Sequence, residues 1–230
     1  MTKKDKTILK RPSEPGVKLD FEAGGPRQTY SDFLKLDQLL SLQTPIQDPP
    51  QRDELLFVII HQVSELWLKL LHAELEQARR SIRQDDLQTC NKTMARSKAI
   101  MEQLISAWKV LLTMTTADYL SFRSGLGQSS GLQSAGYRLV EFILGNKDAE
   151  HLKPHRHDPA THARLTEALA EPSIYDEVLA CLARRGFPVP ARVIERDFRE
   201  PYGGDPEVVA IWARIYREHD AYWDLYDLAE

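Results

Sequence analysis

One long apolar stretch limits what this chain can fold into. Residues 53–76 read DELLFVIIHQVSELWLKLLHAELE, in which the apolar run Leu55–Ile60 leads into further apolar residues at helical spacing. We expect a helix that is apolar on nearly every side to lie in the middle of a core. Phe57 and His61 are four residues apart and share one face of it. In such surroundings His61 needs a hydrogen-bond partner or a chemical task, and by itself a satisfied core histidine is the commoner interpretation.

Composition and charge argue against several classes of protein. The 230 residues carry a formal net charge of −4, which gives no reason to expect nucleic acid or an acidic membrane surface as partner. Cys90 and Cys181 lie far apart without metal-type spacing, so we expect a reducing cytoplasm and no disulfide. The polar N-terminus lacks the apolar segment of a secretory signal. No unbroken apolar run approaches the roughly 20 residues of a membrane span, so we expect no membrane partner.

The remaining sequence predicts helices joined by short polar connections. Residues 1–28 are polar and contain prolines and glycines, which predicts a flexible tail before one helical domain over 29–230. No stretch shows strand or repeat patterning, so the predicted fold class is all-α, a bundle of long packed helices. The predicted helices cover 30–42, 53–83, 87–112, 117–124, 132–144, 159–171, 173–185 and 206–230, with a proline-rich connector at 43–52 and an irregular segment at 187–204. The start of the second helix is open, because Asp48 before Pro49 is a plausible cap as well as Asp53.

A second pair of side chains at helical spacing is Tyr119 and Arg123. Arginine is a planar bidentate donor that suits a carboxylate, and tyrosine offers an aromatic wall, although an ordinary solvent-facing helix surface is the alternative. The stretch 125–131, GLGQSSG, follows a helix and lacks the lysine of a phosphate-binding loop, so nucleotide binding is not expected. Its glycines allow backbone to approach a flat ligand closely, with Ser129 and Ser130 as hydrogen-bond donors.

Other polar clusters give no further chemistry. The spacing of the histidines between residues 151 and 162 does not make a zinc set, and we interpret them as an exposed loop. His72 and Glu76 form a structural pair on one helix face. Neither long helix carries the Glu-x-x-His pattern of a di-metal bundle, and no Ser-His-Asp or Cys-His arrangement can be assembled. Composition and periodicity alone therefore indicate a helical domain with one unexplained histidine.

Five longer stretches carry a resemblance to a known family. They are FLKLDQLLSLQ (33–43), DELLFVIIHQVSELWLKLLHAEL (53–75), ARSKAIMEQL (95–104), YLSFRSGLGQSSGLQSAGYRLVEFILGNK (119–147) and the C-terminal IYREHDAYWDLYDLAE. They resemble the tryptophan 2,3-dioxygenase family. The resemblance implies an all-α, homotetrameric, cytoplasmic enzyme that binds heme b. It also implies the reaction, which is insertion of both atoms of O₂ across the indole C2–C3 bond of L-tryptophan to give N-formyl-L-kynurenine, the entry step of the kynurenine pathway.

The resemblance also implies a role for particular residues. It makes His61 the catalytic candidate, a distal histidine that hydrogen-bonds the indole N–H of the substrate. Arg123 becomes the clamp on the substrate carboxylate, and Phe57 and Tyr119 become walls of the pocket. The full substrate-binding set implied is Phe57, Val58, Ile59, Ile60, His61, Tyr119, Arg123 and Tyr30, of which Tyr30 reaches into a neighbouring subunit's site. Ser130 and Gly131 are implied to lie near the heme edge.

Two parts of the family's site have no counterpart in this sequence. The family's proximal histidine, which ligates the iron, follows the YWDLYDLAE region, so it is expected beyond Glu230 and no metal ligand is expected in this chain. The family's threonine loop is also not found, and His219 occupies no ligand position. Three explanations remain open for the missing parts. The chain is a truncated product, or a second polypeptide supplies the ligand helix, or the chain is a helical member of the family that binds no heme and is inactive or nearly so. A related heme enzyme acting on another aromatic amino acid also remains open.

Overall fold

A helix of 30 residues, Glu54–Arg83, is the longest element of the computed structural model, which describes residues 29–229. Those residues contain eleven α-helices and no strand, which confirms the all-α prediction. They divide into two units, one ending at Leu42 and the other beginning at Gln43. The predicted tail at 1–28 lies outside the described residues. The helices are α1 Tyr30–Leu34, α2 Leu36–Leu39, α3 Glu54–Arg83, α4 Leu87–Leu111, α5 Thr116–Arg123, α6 Ala135–Leu144, α7 Pro159–Ala170, α8 Ile174–Arg184, α9 Ala191–Ile194, α10 Pro206–Arg217 and α11 Trp223–Ala229.

The first unit consists of α1 and α2. Thr29 caps α1 in a capping box with Asp32, whose carboxylate accepts from the Thr29 backbone N–H at 3.1 Å. Lys35 then takes the left-handed conformation, with φ of +52°, and ends α1. The single helix predicted over 30–42 is therefore wrong, because a left-handed residue interrupts the helical hydrogen-bond ladder.

The second unit is built on the hairpin of α3 and α4. The joint at 84–86 lies where it was predicted, and the Asp86 carboxylate caps α4 by accepting from the Thr89 N–H at 3.0 Å. Beyond this hairpin, α6 and α8 pack against α3. The buried core takes its side chains from all of these helices, including Leu71, Leu75, Ala78, Ile82, Cys90, Ile143, Leu179 and Leu182.

Only part of α3 is buried within this chain, which corrects the prediction of a helix in the middle of a core. Leu68, Leu71 and Leu75 are buried, but an apolar stripe (Leu55, Ile59, Val63, Leu66 and Leu70) is between 37% and 52% exposed. By length and composition alone, the helix is also long and apolar enough to cross a membrane. The lack of a long unbroken apolar run in the sequence had predicted no membrane span. Core helices commonly meet the same two conditions, so they do not identify a membrane segment.

Four further stretches differ from the sequence-based predictions. The segment 187–204, predicted to be irregular, contains the short helix α9. Residues 131–133 form a 3₁₀ turn and α6 begins at Ala135. The last helix is two helices, because Glu218 leaves the helical conformation and residues 218–222 form a turn. The histidine-rich segment contains the 3₁₀ helix Ala149–His155, in which His155 is buried, so the prediction of an exposed loop is wrong there.

Candidate functional site

Aromatic rings from α3 and α5 meet to form one cluster. The ring centroid of Phe57 lies 4.1 Å from that of His61 and 6.0 Å from that of Tyr119. Phe122 joins the cluster at 5.4 Å from Phe57 and 5.6 Å from Tyr119, with both pairs edge to face. Phe122 is 1% exposed and anchors α5 against α3. Its position three residues after Tyr119, on the same side of a helix, is the signal that could have identified it from the sequence.

The hydrogen bonding of His61 leaves one ring nitrogen available as an acceptor. His61 Nδ1 lies 2.7 Å from the Phe57 carbonyl oxygen one turn earlier in α3. A carbonyl only accepts, so Nδ1 carries the proton and donates it. In the neutral ring, Nε2 then holds a lone pair. The half-buried imidazole can therefore accept one directed hydrogen bond from an N–H donor.

A largely apolar cavity of about 200 Å³ lies beside His61, between α3, α4 and the start of α6. Its wall includes Ile60, Leu68, Leu104, Trp108 and Leu111. Trp108 is 60% exposed, so much of its indole face is free within this chain. Gly131 borders the cavity, and apart from its chain neighbours no heavy atom of residues 29–229 lies within 4 Å of the position that a Cβ would take there. The wall therefore suits a flat, apolar ligand. No sequence pattern predicted a role for Trp108 in the site.

The glycine-rich loop holds the guanidinium of Arg123. Its Nη1 donates to the Gly127 carbonyl oxygen at 2.9 Å. Gly127 has φ of +55° and ψ of −123°, a positive-φ conformation that glycine adopts without a Cβ clash. A guanidinium has five N–H donors, so this bond fixes its direction and leaves further donors on Nε and Nη2. Arg123 can therefore bind a carboxylate.

Ser130 organises the second half of the same loop. Its hydroxyl accepts from the Leu132 N–H at 3.3 Å, and its own N–H donates to Gln133 Oε1 at 3.1 Å. The buried Arg138 of α6 donates to the Leu132 carbonyl at 3.3 Å. These bonds hold the turn that carries Gly131 at the rim of the cavity.

The structure brings together some of the residues predicted for the site and separates others. Phe57, His61 and Tyr119 are in ring contact, and Ile60 and Gly131 lie in the adjoining cavity with His61. Successive helical residues differ by about 100° in direction, so the five residues 57–61 cannot all face one side. Val58 is half-buried and Ile59 is 40% exposed on the stripe. Tyr30 is 76% exposed and belongs to the first unit. In residues 29–229, no three His, Cys, Asp or Glu side chains come together as a metal site.

Comparison with known proteins gives one consistent family. A family model described as tryptophan 2,3-dioxygenase matches residues 13–225. The chain is 50% identical over 221 residues to a tryptophan 2,3-dioxygenase of Myxococcus xanthus (strain DK1622), covering 96% of this chain and 75% of that protein. It is 48% identical over 214 residues to the enzyme of the same name from Burkholderia pseudomallei (strain 668), covering 93% of this chain and 68% of the relative. The tryptophan 2,3-dioxygenase of Burkholderia mallei (strain SAVP1) is 47% identical over 214 residues, covering 93% of this chain and 68% of that protein.

Proposed function

The chain belongs to the tryptophan 2,3-dioxygenase family, and from that premise we propose that the aromatic cluster and cavity around His61 bind L-tryptophan for oxidation. Enzymes of this family cleave the indole C2–C3 bond with O₂ and form N-formyl-L-kynurenine, which begins tryptophan catabolism through the kynurenine pathway. The observation that carries the proposal is the hydrogen bond from His61 Nδ1 to the Phe57 carbonyl. It leaves an acceptor nitrogen in aromatic surroundings, which suits the N–H of an indole ring.

Each residue of the cluster has a part in holding the substrate. His61 Nε2 accepts the indole N–H, and Phe57 and Tyr119 contact the faces and edges of the ring. Arg123 binds the substrate carboxylate through its Nε and Nη2 donors, because Nη1 is bonded to the Gly127 carbonyl. Gripping the substrate at both its ring and its carboxylate fixes the indole C2–C3 bond in one orientation, which lowers the entropic part of the barrier.

The cofactor that we propose is heme b. The residues present fit one side of such a ring, because the cavity wall is largely apolar, Trp108 is exposed and space is open beside Gly131. Glu65 and the serines Ser64 and Ser134 are the polar part of that wall. Trp108 and Leu111 would lie against the macrocycle, and Ser130 and Gly131 would lie at its edge. Heme supplies the iron and the O₂ chemistry when it is bound. The protein's own task is to position the indole and to keep water from this apolar wall.

We also propose that the chain works as a homotetramer in the cytoplasm, with Tyr30 contributing to a neighbouring subunit's site. The exposed apolar stripe on α3 supports the association, because an apolar surface of this length is costly in water. Two free, buried cysteines, Cys90 and Cys181, suit a reducing compartment. Burial raises the pKa of each thiol to about 11, so both stay protonated at neutral pH.

The proposed substrate contact is tested by Arg123→Leu. Losing a charge-assisted hydrogen-bond pair to the carboxylate costs about 1.5–3 kcal/mol, so the Kd for L-tryptophan should rise roughly 10- to 150-fold. Indole has no carboxylate, and its Kd should change less than about twofold. Both constants are measured by calorimetric titration, with Arg217→Leu as control because Arg217 is exposed on α10 and its side chain donates to the Ala213 carbonyl. Equal weakening of both ligands would contradict the clamp.

A further inference from the structure

The side chain of Glu54 is buried although it is a carboxylate. It is 1% exposed, at the first residue of α3, about two turns before His61. Its Oε1 accepts the backbone N–H groups of Ile46 and Gln47, the latter at 3.2 Å. Its Oε2 is buried without a hydrogen-bond partner among the described residues. Burying a carboxylate with one unpaired oxygen costs free energy, so what Oε1 holds in place should matter to the molecule.

Glu54 holds the connector, residues 43–52, against α3. The Glu54 carboxylate fixes the middle of this connector through two N–H groups. The Gln43 side-chain amide fixes its beginning by donating to Gln62, the neighbour of His61. Attachment at two points gives a segment with three prolines a defined path over the N-terminal half of α3.

The connector in turn packs on the loop that follows Arg123. A Cβ built on Gly125 would lie 2.2 Å from Gln47 Nε2 and 3.1 Å from Ile46 Cγ2, so these two side chains cover that side of the glycine. Ile46 and Gln47 are the residues whose N–H groups Glu54 binds. Gly125 lies in the 3₁₀ turn Ser124–Leu126, directly after α5. Glu54 is therefore linked to this turn through Ile46 and Gln47.

We infer that Glu54 is a positioning residue for the carboxylate clamp. Its carboxylate sets the connector, the connector seats the turn at Gly125, and the same loop supplies the Gly127 carbonyl against which the Arg123 guanidinium rests. The inference rests on the proposed role of Arg123 as the group that binds the substrate carboxylate. Glu54 acts on the substrate only through Arg123, so its loss should weaken recognition of the carboxylate and leave recognition of the indole ring unchanged.

The test compares L-tryptophan with indole in calorimetric titrations of the full chain. For Glu54→Ala we expect the Kd of L-tryptophan to rise about tenfold and that of indole less than about twofold. Glu54→Gln should keep near-native binding, because the amide oxygen can accept the same two N–H groups. In an Arg123→Leu background, Glu54→Ala should cause no further loss of L-tryptophan affinity. A merely structural role would lower the affinity for both ligands together and in both backgrounds, and that result would overturn the inference.

Gln47→Ala gives an independent variant if Glu54→Ala does not fold. It removes the nearer of the two side chains that cover Gly125 and leaves the buried carboxylate in place, so it should produce the same selective loss. Gln51→Ala is its matched control, because the side-chain amide of this glutamine of the same connector donates to the Pro49 carbonyl and is not among the atoms that cover Gly125. An unchanged L-tryptophan affinity in Gln47→Ala would overturn the inference. If Arg123→Leu alone fails to separate L-tryptophan from indole, the proposed function fails instead, so the two failures are distinguishable.

Discussion

Lys147 is a buried charge whose hydrogen bonds all go to backbone groups. It is 4% exposed, and its Nζ donates to the carbonyl oxygens of Ala168, Leu169 and Glu171 at 3.0, 3.1 and 2.7 Å. Carbonyls at the C-terminus of a helix lack intrahelical donors and carry partial negative charge. Lys147 therefore closes the end of α7 and fixes it to the segment that follows α6.

The burial of Lys147 makes the free energy of unfolding depend on pH. Burial, reinforced by nearby arginines, lowers the pKa of Lys147 to about 8 from an ordinary value of 10.5. Between these values the unfolded chain holds a proton that the folded chain has released, so the free energy of unfolding rises with pH. Relative to Lys147→Met, the native chain should gain about 2 kcal/mol between pH 8 and 10.5, measured by urea unfolding at several pH values. A constant difference between the two proteins across this window would show that Lys147 keeps its proton.

The helix ends show how local backbone chemistry sets the elements around the site. Gly145 ends α6 with φ of +99°, and its N–H bonds the carbonyls of Glu141 and Phe142. This is the left-handed C-terminal cap that glycine favours. The chain reverses there, and the buried Ser173 hydroxyl lies 3.5 Å from the position of a Cβ on Gly145.

Gly145→Ala should therefore destabilise the fold. A Cβ in the left-handed region costs about 1–2 kcal/mol, and we expect the free energy of unfolding to fall by that amount in urea titrations. Gly203→Ala is the matched control, because no heavy atom lies within 4 Å of its Cβ position and its φ is outside the left-handed region. That substitution should leave stability unchanged or slightly higher. Equal changes in the free energy of unfolding for both substitutions would contradict the role of the left-handed conformation at Gly145.

Sequence patterns predicted the elements best where a local signal marks their ends. Asp-Pro pairs begin α7 and α10 as predicted, and Gly145 ends α6. The breaks at Lys35 and at residues 218–222 were not predicted, because neither contains a proline or glycine and both depend on turn conformation. Spacing along one helix paired Phe57 with His61 and Tyr119 with Arg123. These two pairs lie on α3 and α5, and the two helices contact each other through Phe122. Periodicity within one helix cannot reveal a contact between two helices.

The distribution of apolar residues around α3 bears on the proposed assembly. At 100° per residue, Leu71, Leu75 and Ile82 point into the core, and His61 lies near that side. The exposed stripe (Leu55, Ile59, Val63, Leu66 and Leu70) follows the spacing 4, 4, 3 and 4 and lies on the opposite side of the helix from His61. A helix that is apolar all round is buried on both sides only if another surface covers the stripe, and the proposed tetramer supplies one.

Leu66→Lys tests whether the stripe is a subunit contact, because Leu66 is 52% exposed on the stripe and does not line the cavity. A charge at a covered apolar surface must be desolvated, and the lost leucine contact adds to that cost, so subunit association should weaken by at least about tenfold. Sedimentation velocity should show a smaller assembly over a range of protein concentrations, with the helical circular dichroism spectrum retained. Val209→Lys, at a residue 65% exposed on α10, should leave the mass unchanged. If Leu66→Lys assembles like the native chain, the stripe is not a subunit contact, and the apolar side of α3 opposite His61 must be covered in another way.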